Sequence, residues 1–589
     1  MKYRLLGALA TLLISLSAAS QAPIVPGEPA LAPKAAAAPA QLRLGTAQAP
    51  TPERLAPVSE AEMLAVRKRN EASSRGTLDA QQRRVTIGIA RAAAAESLAA
   101  PAFQWKAVPG GHAAQVAVTS PEASSLRLAI DLAGVPGEVE MVFFGSQDPA
   151  RLEGPVKVGD IADRTQPWWS PLTEGETQTV EFYVPAGREL ARLPIAVLAA
   201  SHVFTSPSSR FTKRGQDIGT AGACNVDVPC SALASNSAFR NAVESVAQMV
   251  FNDAGFTMLC TGTLLADGNA ATQTPWFYSA NHCFENEDPP YKNAAQMQTV
   301  ANTLTTLWGF EASSCNSRTP RAGWSQVSGG ATLIYANVTS DVLFLRLNGA
   351  PPSGAFYSGW DANPLTAATG LVTLHHPEGD LKKVSQGSVL RFSAPGVGGG
   401  NASFTEARWS TGTTEPGSSG AGVWTSSSGQ YYFRGGLWGG AASCSMLSGS
   451  DYFSRFDQAY AALSGYLGAG VAPANDYTDL WWNPGESGWG LNLVQHASRV
   501  IFGVWYTYET DGTRTWYVMP SGSWTSTNTY TGPLFTTGGP PFNGPFDPSQ
   551  VENRQVGSAT LTFATANTGT FAYSVDGVSG SKSITRQPF

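Results

Sequence analysis

Two serines stand between two glycines in "TEPGSSGAGVW", which begins at Thr414 just ahead of an apolar run. A serine hydroxyl becomes a nucleophile only beside a base, and glycines let backbone N–H groups turn toward the oxyanion that its attack creates. Ser419 is thus a candidate nucleophile, with the N–H groups of Gly417 and Ser419 as candidate oxyanion donors. The same residues also suit a plain surface turn, so the loop must be weighed with its partners.

The base has to come from six histidines, His112, His202, His282, His375, His376 and His496. His282 stands in "WFYSANHCF", after an apolar strand and before Cys283, where a disulfide would pin its backbone and so orient the imidazole. His375 and His376 sit side by side in "LVTLHHPEG". Neighbours on a strand face opposite ways, which predicts one buried and one surface histidine rather than a shared metal ion. For the acid, "VTSDVLFLRLN" places Asp341 at the mouth of an apolar strand, a position that also suits a turn residue. His282, Asp341 and Ser419 occur in the order His, Asp, Ser, one of the three orders in which such a triad is built.

The elements that must position these residues are predominantly β. The 589-residue chain has 61 glycines, 10% aromatic and only 14% charged residues, which predicts several turn-rich β domains. A net charge of −6 with no long Lys/Arg run argues against a nucleic-acid partner. The start reads as a secretory signal peptide over residues 1–22: basic Lys2 and Arg4, an apolar stretch from Leu5 to Leu16 too short to span a bilayer, and a small-residue site at Ser20-Gln21-Ala22. An exported chain with six cysteines, Cys224, Cys230, Cys260, Cys283, Cys315 and Cys444, is expected to form three disulfides, and no C-x-x-C pair points to metal.

Residues 22 to about 57 are Ala/Pro-rich without periodicity and read as a linker. "VTIGIAR", "AAQVAVTS", "LRLAIDL", "VEMVFFG" and "TQTVEFYVP" then alternate as half-buried strands do, predicting a separate β domain that suits a propeptide. The dibasic pair Lys213-Arg214 follows in a polar stretch of the kind that proteases nick. "NSAFRNAVESVAQM" reads as a helix in the cysteine-bearing portion. Beyond residue 470 comes a small β domain with Trp481, Trp482, Trp489, Trp505, Trp516 and Trp524, in which "ETDGTR" reads as a hairpin turn. Its rings are expected mainly to fill a core, with a glycan-binding or surface-binding face as the alternative.

"CTGTLL", "WFYSANHC", "TSDVLFLRLN", "HHPEG" and "TEPGSSG", together with all six cysteines in order, resemble the secreted bacterial lysyl endopeptidases, a branch of the chymotrypsin-like serine proteases. "PWWSPLTEGETQTVEFYVP" likewise resembles the propeptide of that family. The resemblance implies Ser419 as nucleophile, His282 as general base and acid, Asp341 as its orienting carboxylate, and the bridges Cys224–Cys444, Cys230–Cys315 and Cys260–Cys283.

A pocket for a basic side chain needs an anion, because an unpaired ammonium is heavily penalised away from water. Six residues before Ser419, where trypsin-like enzymes commonly carry it, stands Thr413. The resemblance implies Asp451, in "SCSMLSGSDYFSRF", as the anchor instead, and a lysine preference would suit cleavage at Lys213. One departure is Trp438 in "RGGLWGGAASC", where the family carries a histidine, which puts strict discrimination against arginine in question.

The expected architecture is therefore mostly β. It comprises a propeptide over residues 23–214, a chymotrypsin-like double β-barrel over 215–470 and a Trp-rich β domain over 471–589. The expected activity is secreted serine endopeptidase cleavage after lysine. It would need no cofactor or metal, with proteins and peptides as substrates, the propeptide as folding aid or inhibitor, and a monomeric state. The alternatives are a protease of broader basic specificity and a retired protease scaffold that binds through its aromatic domain.

Overall fold

The computed structural model describes residues 22–31, 40–45, 50–74, 84–93, 98–207, 220–268, 273–285, 289–393, 404–467, 473–495, 500–520, 522–541, 543–547 and 550–588. Most of the expected signal peptide, and Lys213 with Arg214, lie outside the described residues. Among the described residues no helix is long and apolar enough to cross a membrane.

All five strands read from the N-terminal portion are present, at Val85–Ala92, Gly111–Thr119, Ser125–Asp131, Glu140–Gly145 and Thr177–Pro185. They form two packed sheets with Val116, Val118, Leu128, Ile130, Phe143, Val180 and Phe182 buried between them. That is the outcome alternation dictates when one face of each strand is apolar.

The cysteine-bearing portion is a double barrel. The first half joins Val246–Asp253, Phe256–Leu265, Trp276–Ser279, Val342–Leu347 and Ala331–Asn337 in antiparallel pairs. The second closes on itself through Gly370–His375, Lys383–Ser393, Phe404–Thr411, Ser450–Phe453, Gln430–Gly440 and Gly422–Ser427. Closure removes the unpaired edges that would otherwise expose backbone groups.

The helix read from "NSAFRNAVESVAQM" is shorter than expected. It spans Ser237–Glu244 with Asn236 capping the Phe239 N–H at 2.9 Å, and the chain then enters the strand Val246–Asp253. A tight turn at Ala254 and Gly255, both at positive φ, returns that strand on Phe256–Leu265, and hairpin pairing overrides helical periodicity there.

The linker reading is also corrected. Ile24–Val25 pairs with Trp360–Asp361, Glu28–Pro29 pairs with Phe356–Tyr357, and Val25 joins the main core of the double barrel. Composition misled because this stretch needs no core of its own: the short strands Phe356–Tyr357 and Trp360–Asp361 supply its hydrogen bonds.

The N-terminal sheets and the first barrel are continuous. Val85–Ala92 pairs antiparallel with the start of Phe256–Leu265, with Val85 opposite Leu259 and Ile89 opposite Phe256. Arg127 crosses the same boundary, fully buried, donating to Ser170 O, Asn252 Oδ1, Thr303 O and Thr305 Oγ1 at 2.8–3.2 Å.

The C-terminal portion is an antiparallel sheet whose order returns to its start through pairing of Arg514–Met519 with Thr529–Gly538. Trp481, Trp505 and Trp524 fill its core, whereas Trp516 is half-exposed beside Tyr506 on the outer face. The "ETDGTR" turn links Ile501–Tyr508 to Arg514–Met519 as expected.

Candidate active site

Strand pairing brings the first two candidates together. Trp276–Ser279 lies beside Val342–Leu347 with Ser279 opposite Leu343, so the residue ahead of one strand meets the turn after the other. His282 sits in the single turn Asn281–Cys283, and Asp341 immediately precedes its strand. The Asp341 carboxylate takes the backbone N–H of His282 on Oδ1 at 2.9 Å, while Oδ2 lies 2.9 Å from Nδ1. A ring nitrogen facing a carboxylate carries the proton, which leaves Nε2 as the basic atom. Asp341 has φ +53°, a left-handed conformation that aspartate tolerates better than most residues.

Ser419 lies against the same turn. Its carbonyl accepts the Thr261 N–H at 2.8 Å and is 3.9 Å from Cys283 Sγ. Gly420, at φ +80°, packs so closely that a Cβ there would lie 2.1 Å from Ser279 Oγ and 2.9 Å from Ala280 N. Gly417, at φ +88°, gives its carbonyl to Thr261 Oγ1 at 3.1 Å. Within this loop the N–H groups of Ser418, Gly420 and Ala421 donate to backbone carbonyls, whereas those of Gly417 and Ser419 donate to none among the described residues. Ser419 Oγ and His282 Nε2 are likewise buried with no hydrogen-bond partner among the described residues. Ser419, His282 and Asp341 are at most 3% exposed.

Asp451 is fully buried in the second barrel, opposite Ala407 on one side and Gly440 on the other. Its Oδ2 accepts from Trp409 Nε1 and from Thr414 Oγ1, each at 2.6 Å. Thr414 begins the loop that carries Ser419, so the carboxylate and the candidate nucleophile share one support. Trp409 carries no local sequence signal, and Thr414, although it opens the Gly-Ser-Ser-Gly motif, carries none for this contact. Trp438 is buried two residues before Gly440, edge-on to Phe404 at 6.3 Å and to Tyr452 at 6.2 Å between centroids.

Comparison with known proteins decides the family. A family described as "Lysyl endopeptidase, C-terminal domain" matches residues 218–454, and one described as "Lysyl endopeptidase N-terminal domain" matches residues 36–204. The chain is 34% identical over 394 residues to the lysyl endopeptidase of Pseudomonas aeruginosa, spanning 65% of this chain and 81% of that one. This chain belongs to the lysyl endopeptidase family. Among solved structures it is similar to the Rv3671c protease of M. tuberculosis. The active form is 15% identical, covering 44% of this chain and 92% of that one at a TM-score of 0.27; the inactive form is 16% identical, covering 40% and 96% at 0.26.

As a lysyl endopeptidase family member the chain is an endopeptidase, and its fold is mostly β with a double barrel. The three disulfides are those the resemblance implied, Cys224–Cys444, Cys230–Cys315 and Cys260–Cys283. The last ties the residue after His282 to the strand beside Ser419.

The expected surface histidine is a correction, since His375 and His376 are both fully buried. His375 ends its strand with Nδ1 2.8 Å from Ser418 Oγ and Nε2 3.2 Å from Ser385 Oγ. His376 lies past the strand end, with Nδ1 2.9 Å from the Asp380 carbonyl and its ring stacked on Phe310 at 6.0 Å. Strand alternation stops applying where the strand stops, so both faces are covered. No group of potential metal ligands occurs among the described residues.

Proposed function

We propose that this endopeptidase hydrolyses peptide bonds on the carboxyl side of lysine through a Ser419–His282–Asp341 triad. Ser419 Oγ attacks the lysyl carbonyl carbon while its proton passes to His282 Nε2. The imidazolium then protonates the leaving amine as the C–N bond breaks, and water repeats the sequence on the acyl ester to free the serine. Asp341 holds the Nδ1–H and steadies the imidazolium. The N–H groups of Gly417 and Ser419 receive the oxyanion, each such donor typically contributing about 2.7–4 kcal/mol in the transition state.

The observation that carries the lysine reading is the buried Asp451 carboxylate, oriented by the neutral donors Trp409 and Thr414. Those donors fix the direction of the carboxylate, and a carboxylate so oriented is the group with which a substrate ammonium would pair. Trp438 would form an aromatic wall where the family carries histidine, so arginine would be a weaker second substrate.

The N-terminal portion would act as a covering partner before maturation near Lys213. The support is its strand Val85–Ala92 on the sheet edge at Phe256–Leu259, with Arg84 Nη1 3.3 Å from the Cys283 carbonyl and 3.2 Å from Asp253 Oδ2. A strand in that place takes the backbone groups that a substrate peptide beside His282 would pair with. An extracellular destination follows from the expected signal peptide and the disulfides.

The test is cleavage-site mapping of a denatured protein mixture by mass spectrometry, using the matured enzyme, Ser419→Ala and Asp451→Asn. The expected result is cutting almost entirely after lysine, none by Ser419→Ala, and loss of the lysine preference in Asp451→Asn. A wild-type chain that cuts nothing would return the molecule to a binding role on a protease scaffold.

A further inference from the structure

Ser418, between the two N–H groups assigned to the oxyanion, has a fully buried side chain bonded to a fully buried histidine. The direction of every hydrogen in this chain follows from its far end. Ser385 Oγ donates to the Thr413 carbonyl at 2.7 Å, so toward His375 it can only accept, which places the proton on His375 Nε2. Nδ1 is then bare and accepts the Ser418 hydroxyl at 2.8 Å. Ser418 Oγ in turn receives the Glu415 N–H at 3.4 Å. The chain thus runs from the loop through two strands and back to Thr413, next to the Thr414 that holds Asp451.

We propose that His375 and Ser418 are a positioning pair that sets the oxyanion loop through neutral hydrogen bonds; this rests on the reading of Ser419 as nucleophile and of the Gly417 and Ser419 N–H groups as oxyanion donors. Gly417 and Ser419 flank Ser418, so fixing its side chain fixes the peptide planes on both sides. Burial, with Lys383 nearby, holds the His375 imidazole down to about 3, and the chain keeps its hydrogen directions across any working pH. No charge takes part in this chain of hydrogen bonds. The loop has this geometry in a chain that still carries its N-terminal sheets. Control of activity then falls to what covers the site rather than to the site's own shape.

The experiment uses full-length Ser418→Ala, His375→Leu, His375→Asn and Ser418→Ala/His375→Leu, each processed by added wild-type enzyme and assayed with a lysyl peptide ester. Ser418→Ala and His375→Leu are expected to lower kcat about 10- to 100-fold with KM within about twofold, since the loss is confined to the transition state. The double variant should fall no more than about threefold below the weaker single, as coupled residues do. Asparagine places an acceptor where Nδ1 was, so His375→Asn should recover most of kcat, which a mere packing role would not produce. Ser418→Ala removes one oxygen and decides the matter if the bulkier change fails to fold. A folded Ser418→Ala enzyme with kcat within twofold of wild type, or single losses that multiply, overturns the proposal. A wild-type enzyme with no activity overturns the triad reading first, and the pair with it.

Discussion

Asp341 holds His282 at two points, one carboxylate oxygen on the backbone N–H and the other on the ring Nδ1, each at 2.9 Å. The double grip fixes both where the imidazole sits and which nitrogen bears its proton. Asp341→Asn can keep the backbone contact, and asparagine accepts the left-handed φ, but its amide would face Nδ1 with a donor and favour the wrong tautomer. Steady-state kinetics of the matured variant should show kcat reduced about 10⁴-fold with KM little changed and the melting temperature within a few degrees of wild type. A loss below tenfold would remove Asp341 from the proposed triad.

Gly440 is where the barrel wall approaches Asp451, the proposed lysine anchor. A Cβ there would lie 2.6 Å from Asp451 Oδ1 and 2.2 Å from the Ser450 carbonyl. Gly440→Ala is therefore expected to push Asp451 off its donors and to cost about 1–3 kcal/mol by overpacking. Peptide assays should show kcat/KM for lysyl substrates down at least about tenfold, with less effect on substrates bearing an uncharged residue at the cut.

Arg127 belongs to the N-terminal sheets but spends its hydrogen bonds across the boundary, on Asn252, Thr303 and Thr305. All its acceptors are neutral, and burial lowers its guanidinium to about 9. Arg127→Met takes this donor from the Asn252 and Thr303 oxygens, while Thr305 Oγ1 keeps Ser328 Oγ, at a cost of about 1–3 kcal/mol in total. After cleavage near residue 214 the variant's N-terminal portion should dissociate about 5- to 100-fold faster, read by gel filtration and by the rise of activity with dilution.

Acid should destabilise the uncleaved chain through two buried histidines. Burial, with Lys383, lowers His375 to about 3, and burial, with Arg91, lowers His202 to about 4, against about 6.5 in the unfolded chain. Between these values the unfolded state binds protons that the native state refuses, so stability is complete above about pH 6.5 and falls as pH drops toward 4 and 3. Denaturant titrations should show a decline of up to about 1.4 kcal/mol per pH unit for each histidine in that window. His202→Asn should remove roughly one proton's worth of the slope, and an unchanged slope would show that His202 titrates normally in the fold.

Much of the candidate site could be read from the chain because its signals are local. The strands flanking His282 and Asp341 follow from short continuous apolar runs, the Gly-Ser-Ser-Gly loop from glycine's access to positive φ, and the three bridges from an even count of cysteines read with the family's pattern. The sequence by itself determined the β character of each portion, the inventory of reactive groups and their order. Tertiary structure decided which groups meet. Asp451 is held by Trp409 and Thr414, 42 and 37 residues away. His376 is buried by Phe310, and the Ala/Pro-rich start is ordered by strand edges at Phe356–Tyr357 and Trp360–Asp361. The physical reason is that local preference comes from a residue's near neighbours, whereas a buried carboxylate or an open strand edge is satisfied by whatever donor folding carries to it, and that depends on closing long loops.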